Sequence, residues 1–244
     1  MLPIIQSLLN ALFPRFCCVC GKRLMTGEDT LCTKCLCGLP LTHIKAHRNN
    51  IVERLLWDDR VMTEHANSLI YYHPKSRYCN IFFKFKYQSR PDIAVALGRM
   101  MAQDLISTDF FSGIDCIIPV PLSKKRQKKR GYNQSERLAQ GISEVTHIPV
   151  DTTSLIRFVD NPTQTHLLHS ERQANVENIF RLTSSPTLLS GKHILIVDDV
   201  ITTGATIRAC AHALLQSAAV KISVLSLALA KNNADIDPPH WIRT

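Results

Sequence analysis

No stretch of about 18 consecutive apolar residues occurs in this chain, so the sequence offers no candidate membrane span. Met1 to Phe16 is apolar, yet it lacks a positively charged start and a small-residue cleavage site. It therefore does not read as a secretory leader, and a cytoplasmic address is expected. Internal repeats and low-complexity tracts are missing, which excludes solenoid and compositionally disordered architectures. The nine cysteines are an odd number, and with a cytoplasmic address that argues against a disulfide framework.

What remains is a chain of 244 residues, 45% hydrophobic and 20% charged, enough for one large core and a small appendage. The divisions expected are residues 1–45 as an apolar start with a cysteine module, 46–232 as the main domain and 233–244 as a loose tail. Leu2, Ile5, Leu8, Leu9 and Leu12 have the spacing of a short amphipathic helix. The net charge of +9 is concentrated: Lys124, Lys125, Arg126, Lys128, Lys129 and Arg130 supply six positive charges within seven residues. Such a segment, expected to be a loop, is a local attractor for pyrophosphate or a nucleic-acid backbone. Arg130 and Gly131 are the best-placed pair for a close anion contact, and Tyr132 offers a ring on which a base could stack.

Six cysteines lie between Cys17 and Cys37. Cys17-x-x-Cys20 and Cys32-x-x-Cys35 form two knuckles, and two such turns complete a tetrahedral thiolate site suited to Zn²⁺. Four thiolates leave no open position, so the metal is expected to be structural. Cys18 and Cys37 are spares, with Cys18 a competitor for the place of Cys17. Cys79, Cys116 and Cys210 read as buried thiols.

Further along, Leu39 to Arg60 is a connector and Asn67 to Tyr72 a strand. Tyr78, Ile81, Phe82 and Phe85 repeat with helical spacing, flanked by Lys84 and Lys86, and Pro91 opens a second helix. Ile114 to Val120 reads as a buried strand. Asn133 with Glu136 resembles a capping box at the start of the next helix. Ser154 to Val159 is a strand, and Asp160 to Val176 a polar lid or loose hairpin, in which His166 and His169 read as loop residues. A helix over Ala205 to Ala218 and a last strand from Val220 to Ala228 complete an alternation that predicts a parallel sheet covered on both faces.

Ile194 to Thr206 carries the clearest chemistry. An apolar β-branched run ends in Asp198 and Asp199; Thr202-Thr203-Gly204-Ala205-Thr206 follows, and then a helix. In an open α/β sheet, ligands lie beyond the carboxyl ends of strands. Gly204 allows a tight turn whose N–H groups and threonine hydroxyls converge on an anion at the helix start. Carboxylates beside an anion nest suit a ligand bearing both hydroxyls and a phosphate, such as a ribose 5-phosphate.

These residues resemble the motif with which type I phosphoribosyltransferases bind 5-phosphoribosyl pyrophosphate (PRPP). The resemblance implies that Asp198 and Asp199 hold the ribose hydroxyls and that Thr202 to Thr206 hold the 5′-phosphate. With Phe13-Pro14, the cysteine knuckles, Phe85-Lys86-Tyr87, Pro119-Val120-Pro121, Arg130 to Gln134, Thr163-Gln164-Thr165, Glu171-Arg172 and Asn175-Val176, about nine-tenths of the chain is similar to the ComF family. That resemblance implies a type I phosphoribosyltransferase-like α/β fold behind an amino-terminal zinc finger. It also implies a link to natural transformation, with single-stranded DNA and a ComFA-like helicase as partners. The sequence departs from the family after Thr165, where His166, Leu167, Leu168 and His169 replace glycine or basic residues. As an enzyme, the protein would use Asp198, Asp199 and Arg130 on PRPP carrying Mg²⁺. As a binding module, Lys124, Lys125, Arg126, Lys128, Lys129 and Tyr132 would hold single-stranded DNA, with PRPP as a ligand or signal. A nucleotide-pool regulator on a retired transferase scaffold is a third reading.

Overall fold

Runs rich in Ile, Val and Leu form the centre of the molecule because both faces of their strands are covered. The computed structural model describes residues 14–45, 47–58, 61–88, 90–158, 179–183, 188–216 and 220–230. The elements in chain order are α1 (Thr33–Cys37), α2 (Ile51–Leu56), β1 (Thr63–Tyr72), α3 (Cys79–Tyr87), α4 (Pro91–Leu105) and β2 (Cys116–Pro119). They continue with α5 (Lys124–Arg130), α6 (Gln134–Thr146), β3 (Leu155–Arg157), β4 (Phe180–Leu182), β5 (His193–Ile201), α7 (Ala205–Leu215) and β6 (Lys221–Ala230). No helix among the described residues is long and apolar enough to cross a membrane.

Four strands form one parallel sheet in the order β1-β6-β5-β2. Alternate side chains of β2 and β5 serve opposite faces. Ile117, Leu195 and Val197 join Leu97, Met101 and Leu138 of α4 and α6, while Ile118, Ile194 and Ile196 join Ile207, Cys210 and Leu214 of α7. The expected parallel sheet with helices on both faces is the observed one. The apolar starting segment, the tail and the stretch with His166 and His169 lie outside the described residues. On either side of that stretch, β3 and β4 pair antiparallel.

Helices α4 and α6 approach closely enough for backbone to touch backbone. A Cβ on Gly141 would stand 2.0 Å from the Val95 carbonyl oxygen, and one on Gly98 would stand 2.1 Å from that of Leu138. Only hydrogen fits at either position. This crossing fixes α6, whose first turn reaches the end of β5.

Several local expectations need correction. The basic segment is a helix, not a loop: Ser123 Oγ accepts from the Arg126 N–H, and Gly131 in the left-handed conformation closes the other end. Lys and Arg are good helix formers, and those of the last turn complement the helix dipole. β1 begins four residues earlier than expected, at Thr63. Asn133 caps α6 through the Ser135 N–H, whereas the reciprocal capping box forms at Asn50 and Glu53 of α2.

Candidate functional site

β2 ends at Pro119, opposite Val197, while β5 continues alongside β6 to Ile201. Asp198 and Asp199 thus emerge where the sheet loses a strand, at the carboxyl end where ligands of such sheets sit. Both are buried, at 7% and 6% exposure. Asp198 Oδ1 accepts from Ser135 Oγ at 3.0 Å and from the Asp199 N–H at 2.8 Å. Burial, and then the charge of Asp199, push the Asp198 carboxyl up to about 7, against the pull of those two donors and Lys86. Asp199 is held differently: Lys86 Nζ of α3 stands 2.6 Å from its Oδ2 as an ion contact, and no directed hydrogen bond reaches that oxygen.

The turn that follows places Thr202, Thr203 and Thr206 at the surface and buries Gly204 at the start of α7. Gly204 has φ +76°, and a Cβ there would meet Leu56 Cδ2 and Arg208 Nη1 at 2.9 Å. Conformation and space both demand glycine. Gly204 gives α7 no side-chain cap, and the Ala205 N–H donates to Thr203 Oγ1 at 3.4 Å, while the other first-turn N–H groups have no intrahelical partner. A helix start of this kind is able to take an anion.

Lys86 connects the acid pair to a cavity of about 440 Å³ lined by Lys86, Tyr87, Arg126, Lys129 and Arg130. Four of its five walls are cationic and none is acidic. Arg130 is held in place by Gln134, which accepts from its guanidinium at 2.7 Å, and lies over the Tyr87 ring. The α5 cations divide by helix face. Arg126, Lys129 and Arg130 line the cavity, whereas Lys124, Lys125 and Lys128 are exposed and do not. Gly131 serves as the helix stop beside Arg130.

Tyr132 does not present a stacking face. It is 8% exposed, and its hydroxyl donates to the Phe85 carbonyl, tying the start of α6 to α3. An aromatic next to a basic run looked like a surface ring; its apolar body and hydroxyl instead complete a core contact. Lys86 and Ser135, which contact the two acids, were not among the sequence-based site residues. Lys86 was visible only as part of the Phe85-Lys86-Tyr87 similarity.

The thiols of Cys17, Cys20, Cys32 and Cys35 lie within 4.8 Å of one another, and the sulfurs of Cys20 and Cys32 are 3.7 Å apart. That separation matches the roughly 3.8 Å edge of a tetrahedron with metal–sulfur bonds of about 2.3 Å. The cluster can hold a metal ion such as zinc. Burial raises the Cys17 thiol, but amides of Cys20, Cys32 and Val19 aimed at its sulfur outweigh that and bring it down to about 6. Cys18 turns into the core, where burial and the charge of Cys17 push its thiol up to about 12. The competition between Cys17 and Cys18 is thereby resolved in favour of Cys17. The module is joined to α3, since Tyr78 Oη donates to the Cys35 carbonyl and Asn80 Nδ2 to that of Val19.

Comparison with known proteins agrees with this architecture. A family model described as a phosphoribosyl transferase domain matches residues 94–243. The DNA utilization protein YhgH of Escherichia coli O157:H7 is 33% identical over 214 residues, spanning 86% of this chain and 88% of that protein. Competence protein F of Haemophilus influenzae is 30% identical over 234 residues, spanning 89% and 99%. Among solved structures, the glutamine PRPP amidotransferase of B. subtilis, complexed with ADP and GMP, aligns with a TM-score of 0.39 and 24% identity. That alignment covers 58% of this chain and 30% of the amidotransferase.

Proposed function

The chain belongs to the ComF family of competence proteins built on a phosphoribosyl transferase domain, and from that premise we propose that it binds PRPP at the end of β5 and transfers its phosphoribosyl group. The observation that carries this reading is Lys86, which joins the buried acid pair to a cationic cavity at the end of the strand that leads into α7.

In this reading Asp199 accepts hydrogen bonds from the ribose hydroxyls, and Asp198, fixed by Ser135, backs it. The 202–206 turn donates backbone and hydroxyl groups to the 5′-phosphate. As the bond from ribose C1 to pyrophosphate breaks, its electrons leave with the pyrophosphate, and Arg126, Lys129 and Arg130 offset the charge that develops there. An acceptor lone pair then closes on C1. Mg²⁺ carried on the pyrophosphate oxygens would add to that neutralisation. Zinc bound by Cys17, Cys20, Cys32 and Cys35 would hold the amino-terminal module against α3. A reducing, cytoplasmic setting goes with this reading, since a four-thiolate site needs its cysteines kept out of disulfides.

Calorimetric titration with PRPP and Mg²⁺ tests the site. Asp199→Asn is expected to weaken binding on the order of 10- to 100-fold, because a charged acceptor makes the stronger hydrogen bond. Equal affinity in wild type and variant rejects the site. Pyrophosphate release measured across nucleobases and DNA then separates transfer from binding alone.

The outward face of α5 favours a second reading, in which the protein is a binding module. Lys124, Lys125 and Lys128 lie outside the cavity and are free to track a phosphate backbone. Single-stranded DNA, handled beside a ComFA-like helicase, would then be the partner, with PRPP as a signal. The names of the relatives, DNA utilization protein and competence protein, support this association.

A further inference from the structure

At the end of β5, Asp199 Oδ2 is buried without a backbone or hydroxyl donor, and the Lys86 ammonium stands against it. Asp198 is not available in the same way, because Ser135 and the Asp199 amide already occupy its Oδ1. A ribose diol that bonds Asp199 Oδ2 must therefore displace Lys86. In contact with Asp199, the Lys86 side chain is 20% exposed. It also forms a wall of the cavity that holds Arg126, Lys129 and Arg130. Moved away from Asp199 with no anion in the cavity, it would face three cations without a counter-charge, and like charges brought together repel. With a pyrophosphate in the cavity, the flexible four-carbon stem can exchange one anionic partner for another.

We propose that Lys86 is a selectivity residue that occupies the ribose-diol carboxylate of Asp199 until a pyrophosphate in the adjoining cavity draws it away, so that the site favours PRPP over ribose 5-phosphate and nucleoside 5′-monophosphates. The inference rests on the PRPP reading above and adds a reason for ligand choice within it. All three ligand types carry the diol and the 5′-phosphate; PRPP alone brings the anion that compensates Lys86. The same exchange acts on the product side. Once pyrophosphate has gone, Lys86 returns to Asp199 and competes with the nucleotide for it, which favours release.

The test titrates full-length protein with PRPP in excess Mg²⁺ and, separately, with ribose 5-phosphate. The variants are Lys86→Met, which keeps the stem beside Phe82, and Lys86→Arg, which keeps the charge. For Lys86→Met, PRPP affinity is expected to fall and ribose 5-phosphate affinity to rise, each by about 10-fold or more. The preference between the two ligands then collapses, and Lys86→Arg restores part of it. A parallel loss of both affinities, or an unchanged ribose 5-phosphate affinity, overturns the exchange while leaving PRPP binding in place. A wild-type protein that binds neither ligand removes the PRPP reading together with this one.

Discussion

Ser135 and Asp198, 63 residues apart in sequence, meet through a hydrogen bond of 3.0 Å in which the serine hydroxyl donates to the buried carboxylate. The bond is possible because Gly98 and Gly141 let α6 settle onto α4, bringing the first turn of α6 to the end of β5. A buried acid at the end of β5 is thus positioned by a helix crossing, and the acid itself is kept at a cost to folding.

That cost is a pH dependence with a definite sign. The Asp198 carboxyl is raised in the folded protein to about 7 from the ordinary value of 3.8, first by burial and then by Asp199. Between those two values the folded state holds a proton that the unfolded chain has released, so stability falls as pH rises through this window. Asp198→Asn removes the penalty while keeping an oxygen for Ser135. Its stability gain over wild type in urea unfolding should be larger at pH 8 than at pH 4.5, by on the order of 2–4 kcal/mol. A gain independent of pH refutes the raised carboxyl.

Gly141→Ala should be destabilising by about 3 kcal/mol or more, because the added methyl meets the Val95 carbonyl oxygen at 2.0 Å. On an open helix face the same change would stabilise by about 1 kcal/mol, so the sign alone distinguishes the two cases. Thermal denaturation reads it directly.

Zinc is expected at about one atom per chain by elemental analysis, in keeping with a closed four-thiolate site. Cys20→Ser and Cys35→Ser should each lose it, while Cys18→Ser, which alters a buried core thiol outside the cluster, should keep it. Because Tyr78 and Asn80 bond to the knuckles, metal loss should also raise hydrogen exchange at the start of α3. Full zinc content in both ligand variants would eliminate the assignment.

The two faces of α5 should separate in a binding experiment. Replacing Lys124, Lys125 and Lys128 by Ala should reduce the salt slope for single-stranded DNA by about 2, at roughly 0.7 per phosphate contact, and leave PRPP affinity near wild type. Replacing Arg126, Lys129 and Arg130 should lower PRPP affinity instead. An unchanged slope in the first triple variant excludes the outward face as a DNA surface.

Tyr132→Phe checks where that ring belongs. Losing the hydroxyl bond to the Phe85 carbonyl should cost about 1 kcal/mol of stability, with no change in DNA affinity. A large loss of DNA binding in a stable protein would return the ring to the surface role first expected of it.

The strand, acids, turn and helix around Asp198 were legible because each signal there is local: an apolar β-branched run, adjacent carboxylates, and a glycine where the backbone must turn. The two knuckles were legible for the same reason. Lys86 and Ser135 were not, since a lysine and a serine in amphipathic helices look like any others until the chain brings them to the acids. Tyr132 and the basic segment failed differently. Charge suggested a solvated loop, while Ser123 and Gly131, two ordinary helix-end residues flanking the run, carried the information that it is a helix. The start of β1 was placed too late because Glu64 and His65 interrupt the apolar pattern.

Both outer strands of the sheet are already engaged along their free sides. Against β1, the Thr42 and Tyr71 amides exchange with Leu69 and Pro40, and Asn50 donates to Ala66. Against β2, Ile117 is bonded on both sides by Pro149 and Asp151. Sheet margins left open invite extension by a foreign strand, which is a common route to fibres and unspecific oligomers. Among the described residues, segments of the chain itself cover these margins at Ala66 to Tyr71 and at Ile117, so a foreign strand meets obstruction there, and helices and turns offer a partner the more accessible surface.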